Sequence, residues 1–127
     1  MTDRRLTIIL SYRDREIERV RRSLESLLVQ TRNDFYVNFV DYGSQTGNAS
    51  TIRELTDSFE FCRYFYSDTR GHPWNRARAL NIGIRHAQSE FVLTTDVDMI
   101  FAPNFVEAVL EAQDGHTLIH CAPHWMP

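Results

Sequence analysis

The chain contains no lysine: all 14 of its basic residues are arginine. Arginine grips phosphate oxygens in a planar fork, but a complete lack of lysine reads first as a genomic or lineage bias. Cysteine is scarce too. Cys62 and Cys121 stand in apolar, strand-like runs without metal-type spacing, which predicts buried thiols in a reducing, cytoplasmic setting. No glycine-rich fingerprint follows any apolar run, so dinucleotide binding of the Rossmann kind is excluded. No segment reaches membrane-spanning length, and residues 2–5 lead into too short an apolar run for a signal peptide, so no integral membrane segment is expected. With net charge -3, pI ≈ 5.9 and no basic block clear of acidic neighbours, nothing announces a nucleic-acid surface. Repeats, low-complexity tracts and linkers are also lacking.

What is present is ordinary for one globular domain with a real core: 127 residues, 43% hydrophobic and 24% charged. Residues 6–10 read as a strand, and Ile17, Val20, Leu24, Leu27 and Leu28 recur at helical spacing across 15–30. A second strand at 36–41 ends in Tyr42-Gly43-Ser44, followed by a polar loop at 45–50 and a short helix to about residue 57. A third strand is predicted at 61–66, and a helix at 75–87 with Ala77, Leu80, Ile84 and Ala87 on one face. The fourth strand falls at 91–95. Pro103 suits a first helical turn, Phe105, Val106, Val109 and Leu110 form the next buried stripe, and residues 117–122 read as a fifth strand. This alternation predicts an α/β fold: a mostly parallel open sheet with helices on both faces. The chain stops just after the last predicted strand, which reads as an interrupted architecture.

Asp96-Val97-Asp98 stands between the apolar runs Phe91-Val92-Leu93 and Met99-Ile100-Phe101. The first run reads as a buried strand, which puts two carboxylates at a strand's carboxyl end, where open α/β sheets hold their ligands. Paired oxygen ligands suit a hard cation, Mg²⁺ or Mn²⁺, shared with substrate phosphates. The same spacing also fits an acidic turn with one Asp capping the next helix.

The order of these motifs resembles the nucleotide-sugar-binding half of a GT-A glycosyltransferase, particularly family 2, over essentially the whole chain. The resemblance rests on Leu10-Ser11-Tyr12-Arg13, on Val40-Asp41-Tyr42-Gly43-Ser44, on the helix from Asn75 to Gly83, and on Asp96-Val97-Asp98. Two stretches, Tyr12-Arg13-Asp14-Arg15-Glu16 and Trp74-Asn75-Arg76-Ala77, are also similar to the β-1,4-galactosyltransferases. The resemblance implies that residues 1–127 bind a nucleotide sugar, a UDP-sugar first, for transfer to a carbohydrate or other hydroxyl acceptor. It implies Ser11, Arg13, Asp41, Tyr42, Arg76 and Asp96 as donor contacts, with Arg15 a further arginine that either approaches the donor or lies solvated on its helix. Asp98 becomes the primary metal ligand and Asp96 the secondary one. Tyr42 replaces the second acid of the family's usual Val-Asp-Asp-Gly-Ser, which leaves the base open: Tyr42 either meets a base or covers the sheet edge.

His120 and His124 flank the end of the predicted fifth strand and are the better histidine candidates for a metal, against a structural or solvated role. No general base is assigned, because Glu111 and Asp114 fit the solvent face or end of the last helix. The isolated chain is therefore expected to bind a donor without efficient transfer. The alternative is a non-catalytic nucleotide or nucleotide-sugar binding module. A haloacid-dehalogenase-like phosphatase also carries Asp-X-Asp after a strand, but after the first strand rather than the fourth.

Overall fold

The structure, a computed structural model, describes residues 4–123. Strands and helices alternate in the order β1 (Leu6–Tyr12), α1 (Ile17–Leu28), β2 (Phe35–Tyr42), α2 (Thr46–Asp57), β3 (Cys62–Ser67), α3 (Arg76–Arg85), β4 (Phe91–Asp96) and α4 (Phe105–Ala112). The strands form one sheet in the order β3-β2-β1-β4, every neighbouring pair parallel. Parallel neighbours need crossover connections, and α1, α2 and α3 supply them.

Period-two alternation sends the two sides of β1 and β2 into different cores. Leu6, Ile8, Leu10, Tyr12, Phe35, Val37 and Phe39 meet Val20, Leu24 and Leu27 of α1, Ile52 and Leu55 of α2, and Val106, Val109 and Leu110 of α4. On the other face Val40 and Tyr42 pack against Ala79 of α3, with Ile82 beside them. Helices thus cover both faces, as expected. Full burial of one such aliphatic side chain contributes about 1.5–3 kcal/mol, so the larger cluster dominates stability.

The buried stripe of α3 differs from the expected one. Ala79, Leu80 and Gly83 face the sheet, whereas Ala77 and Ile84 are exposed. Gly83 explains the rotation: a Cβ there would collide with Ile9 Cγ2 and come within 3.2 Å of Val40 Cγ2, so its absence lets the helix backbone lie on the strands. Asn38 fixes this contact by donating to the Gly83 carbonyl at 3.0 Å.

Residues 46–50, expected in a loop, belong to α2, whose first turn is served from elsewhere. Asp14 accepts from the Gln45 N–H at 3.1 Å and from the Asn48 side chain at 2.8 Å. α4 is started in the same remote way, Gln30 Oε1 accepting from Val106 N–H at 3.0 Å. Only tertiary structure supplies these acceptors, so local sequence does not mark them, and Pro103, expected in the first turn of α4, lies just before its N-cap Asn104.

The fifth strand expected at 117–122 is not formed. After α4 the chain turns on Asp114, whose carboxylate accepts from His116 N–H, Thr117 N–H and the Thr117 hydroxyl, each at 2.8 Å. These bonds hold its carboxyl below the usual range, His116 N–H first. Residues 117–119 then line a shallow hollow beside 91–93 without joining the ladder. Among the described residues β4 is therefore an outer strand, and its apolar run is half-exposed rather than buried, with Val92 43% exposed.

Candidate functional site

The sheet order makes β1 the point where the chain reverses direction. It steps from β1 to β2 to β3, then crosses back to lay β4 on the opposite side of β1. Open α/β sheets bind ligands in the crevice beyond such a reversal, at the carboxyl ends of the strands. Here Ser11 is the register partner of Asp96, so β1 and β4 open together into 12–15 and 97–98.

Val97 is buried in the larger core beside Phe101 and anchors the turn after β4. The acids on either side of it are left accessible, the side chain of Asp96 58% and that of Asp98 28% exposed. Each meets an arginine from another element: Arg76 Nε lies 3.2 Å from Asp96 Oδ1, and Arg15 Nη2 lies 3.4 Å from Asp98 Oδ2. Arg76 opens α3, whose first turn is capped by Asn75 Oδ1 accepting from Arg78 N–H at 3.0 Å. Exposed ion pairs of this kind are worth about 0–1 kcal/mol, so both acids and both guanidiniums can exchange partners at little cost.

The neighbouring strand end is built differently. Asp41 is fully buried, Oδ1 accepting from Ser44 N–H at 2.9 Å and Oδ2 from the Tyr64 hydroxyl at 2.6 Å. Burial, followed by this bond to Asp41, raises the Tyr64 hydroxyl far above its ordinary value. Asp41, expected as a donor contact, has its carboxylate turned inward here, where it closes the 41–44 turn. Gly43 makes that turn possible at φ 87°, and a Cβ there would sit 2.7 Å from the Thr69 carbonyl carbon.

Tyr42, expected either at a base or over the sheet edge, is only 4% exposed and packs on α3. Arg13 is likewise committed to the protein, donating to the carbonyls of Tyr42 at 2.5 Å, His72 at 2.7 Å and Thr69 at 2.9 Å. Ser11 is buried beneath the crevice. The structure therefore gathers Arg15, Arg76, Asp96 and Asp98 at its surface and sets Ser11, Arg13, Asp41 and Tyr42 behind them. Two further residues, named from sequence only within the similar stretches, stand near the site. Asp14 reaches Ser44 and α2 from a left-handed backbone at φ 48°; Trp74, 45% exposed, stands edge-on to Tyr42 directly before the α3 cap.

The donor set fits a hard divalent cation, because Asp96 and Asp98 offer accessible carboxylate oxygens beside guanidiniums suited to phosphate. Among the described residues no third His, Cys, Asp or Glu joins them, so phosphate oxygens and water would complete the shell, as is usual for Mg²⁺. His120 is exposed on the segment after α4 and joins no such group; His124 lies outside the described residues. Cys121, expected in a buried strand, is exposed because that strand does not form, and both cysteines are free thiols. Among the described residues no helix is long and apolar enough to cross a membrane.

A parallel α/β sheet whose reversal point carries paired carboxylates and arginines has the architecture of the GT-A class. The chain belongs to glycosyl transferase family 2, whose profile matches residues 7–125. It is 28% identical over 97 residues to an uncharacterized glycosyltransferase of Rickettsia felis, covering 76% of this chain but 15% of that protein. A Rickettsia conorii uncharacterized glycosyltransferase is 24% identical over 94% of this chain and 19% of its own length. The chain thus spans less than a fifth of either relative. Among solved structures, the mannosyltransferase PcManGT from Pyrobaculum calidifontis, in complex with GDP-Man and Mn²⁺, aligns at TM-score 0.64 and 26% identity over 78% of this chain and 29% of its own. S. aureus TarS 1-349, solved also with UDP and with UDP-GlcNAc, aligns at TM-score 0.72 and 22% identity over 84% of this chain and 31% of its own, a likeness of fold.

Proposed function

We propose that residues 1–127 are the nucleotide-sugar-binding part of a glycosyltransferase, with the diphosphate of the donor held in the β1–β4 crevice. The observation that carries this reading is the pairing of Asp96 with Arg76 and of Asp98 with Arg15 at the sheet's reversal point. Two acids beside two cations, all reachable from solvent and weakly paired, suit a ligand that brings both phosphate and a metal ion. Arg76 and Arg15 would turn to phosphate oxygens. Asp98 would be the primary ligand of Mn²⁺ or Mg²⁺ and Asp96 the secondary one. When bound, the ion supplies Lewis-acid stabilisation of the departing nucleoside diphosphate. Ser11, Arg13, Asp41 and Tyr42 act from behind, holding the strand ends and the loops around them.

The ligands of the named structural relatives support a nucleotide sugar as the donor class. UDP is favoured as the nucleotide, and the acceptor is a hydroxyl compound. Transfer also requires a base to take the acceptor proton. Asp114 is held by its own turn, so no base is assigned among the described residues. Calorimetric titration with Mn²⁺ and UDP, GDP or ADP tests the reading. Binding of at least one nucleoside diphosphate that strengthens with Mn²⁺ and disappears in Asp98→Ala is expected; metal-independent affinity unchanged in Asp98→Ala removes the assignment.

A further inference from the structure

Asp98 sits on a short connection, since β4 ends at Asp96 and α4 begins at Phe105. That connection meets α1 twice. Arg15, just ahead of the helix, pairs with Asp98, and the other end of the helix holds the chain that follows. Ser26, in the last turn of α1, accepts from Phe101 N–H at 3.0 Å, and Thr31 N–H, just past its end, donates to the Pro103 carbonyl at 2.8 Å. Gln30 uses both ends of its amide, Nε2 donating to the Ala102 carbonyl at 2.7 Å and Oε1 accepting from Val106 N–H at 3.0 Å. Both side chains are themselves steadied by the helix: Gln30 Nε2 also donates to the Ser26 carbonyl at 3.1 Å, and the Ser26 hydroxyl donates to the Ser23 carbonyl at 2.6 Å. Residues 97–106 thus form a strap along α1, with Val97 and Phe101 in the core.

Residues 99–102 belong to neither a helix nor a strand, so no regular ladder sets their path. Burial of Val97 and Phe101 anchors the strap, but apolar contact is non-directional. The bonds from α1 are directional, and they fix the backbone on the far side of Asp98 from β4. Metal coordination needs that precision, because ligand distances are held to within about 0.2 Å. We infer that Gln30 and Ser26 are positioning residues for Asp98, acting through the strap's backbone rather than by contact with the ion, an inference resting on the donor reading above. A carboxylate held in place beforehand gives up less freedom when it captures the ion.

Calorimetry of UDP or GDP, in Mn²⁺ and in EDTA, separates this role from a general one. Gln30→Met keeps the side chain's length and removes both polar ends. It and Ser26→Ala should each shrink the Mn²⁺-dependent gain in affinity about three-fold to ten-fold, less than the roughly 10–100-fold typical of partners bonded directly to a metal ligand, and leave affinity in EDTA unchanged. Ser26→Thr retains the hydroxyl and should restore the gain. The electron paramagnetic resonance spectrum of Mn²⁺ in the nucleotide complex should broaden in Gln30→Met, as the carboxylate takes up a wider spread of orientations. Arg32→Gln is the control at the same corner, because its guanidinium goes to Asp34 at 2.6 and 3.0 Å instead of to the strap; it should leave the gain intact. An undiminished gain in Gln30→Met and Ser26→Ala, equal losses in Mn²⁺ and EDTA, or a matching loss in Arg32→Gln overturns the positioning role. An unchanged Mn²⁺ spectrum does so too. Wild-type protein in which Mn²⁺ strengthens neither UDP nor GDP binding sinks the donor reading itself, and this inference with it, a result distinct from failure of Gln30 and Ser26 alone.

Discussion

Two adjoining stretches of the sheet's carboxyl edge use the same residue types to opposite ends. At β2, Asp41 is sealed from water and both of its oxygens accept short hydrogen bonds, while Arg13 donates to three carbonyls. At β4, Asp96 is exposed and Asp98 half-buried but accessible, and they meet Arg76 and Arg15 only at 3.2 and 3.4 Å. A buried charge bound by fixed donors is structural, because removing any partner leaves an unpaired polar group. An exposed acid facing a mobile guanidinium is available for exchange. Residue type is therefore a poor guide to role here; burial and the fixity of the partner decide it.

The most damaging test of this contrast compares Asp41→Ala with Asp98→Ala. Losing Asp41 leaves Ser44 N–H and the Tyr64 hydroxyl without their acceptor and should lower unfolding stability by about 3 kcal/mol in urea titrations. Asp98→Ala should change stability by less than about 0.5 kcal/mol while removing the Mn²⁺-dependent part of nucleotide affinity. Equal destabilisation by the two would erase the distinction. Next in size is Arg76→Ala, expected to weaken nucleoside diphosphate binding by about 1.5–3 kcal/mol, roughly ten-fold to more than a hundred-fold. Arg85→Ala, at the far end of α3, is the control, and a matching loss there points to general charge attraction instead.

Asp96→Ala should lower Mn²⁺-dependent affinity by less than Asp98→Ala does, measured by the same calorimetry; the reverse ranking exchanges the two ligand roles. Two buried protons give a smaller, pH-dependent effect. Burial, aided by Asp57, pushes the Cys62 thiol up to about 12, and burial with the charges of Asp41 and Asp14 pushes the Tyr12 hydroxyl up to about 12. The folded chain keeps protons that the unfolded chain has already released, so stability should fall as pH rises from about 9 toward 12. Urea midpoints at pH 8 and 10.5 measure this, and Cys62→Ala should reduce the decline. A thiol reagent at pH 8 should label exposed Cys121 faster than half-buried Cys62; equal rates contradict the difference in exposure.

Much of the scaffold was legible because apolar periodicity is local. Ile17, Val20, Leu24 and Leu27 announce α1, and the alternation of apolar runs with helical stripes announces a parallel sheet covered on both faces. The failures share one cause. α2 begins earlier than its polar composition suggests because Asp14 caps it from another loop, and α3 is rotated because Gly83 allows contact with Ile9 and Val40. The run at 117–122 has strand-like composition, yet Asp114 and the turn at Gly115 direct it past β4 without pairing.

The site divides along the same line. Spacing alone marked Asp96 and Asp98, since an acid pair just beyond an apolar run emerges at a strand end whatever the rest of the fold does. Which other polar residues face the crevice depended on partners remote in sequence. Asp41 points inward because Tyr64 waits on β3, and Arg13 is held back by carbonyls at 42, 69 and 72. Composition and periodicity are properties of neighbouring residues and determine the elements and their buried faces. The direction in which a buried polar group satisfies its hydrogen bonds is settled only when distant segments meet, because its acceptors and donors do not exist as a set until the sheet has formed.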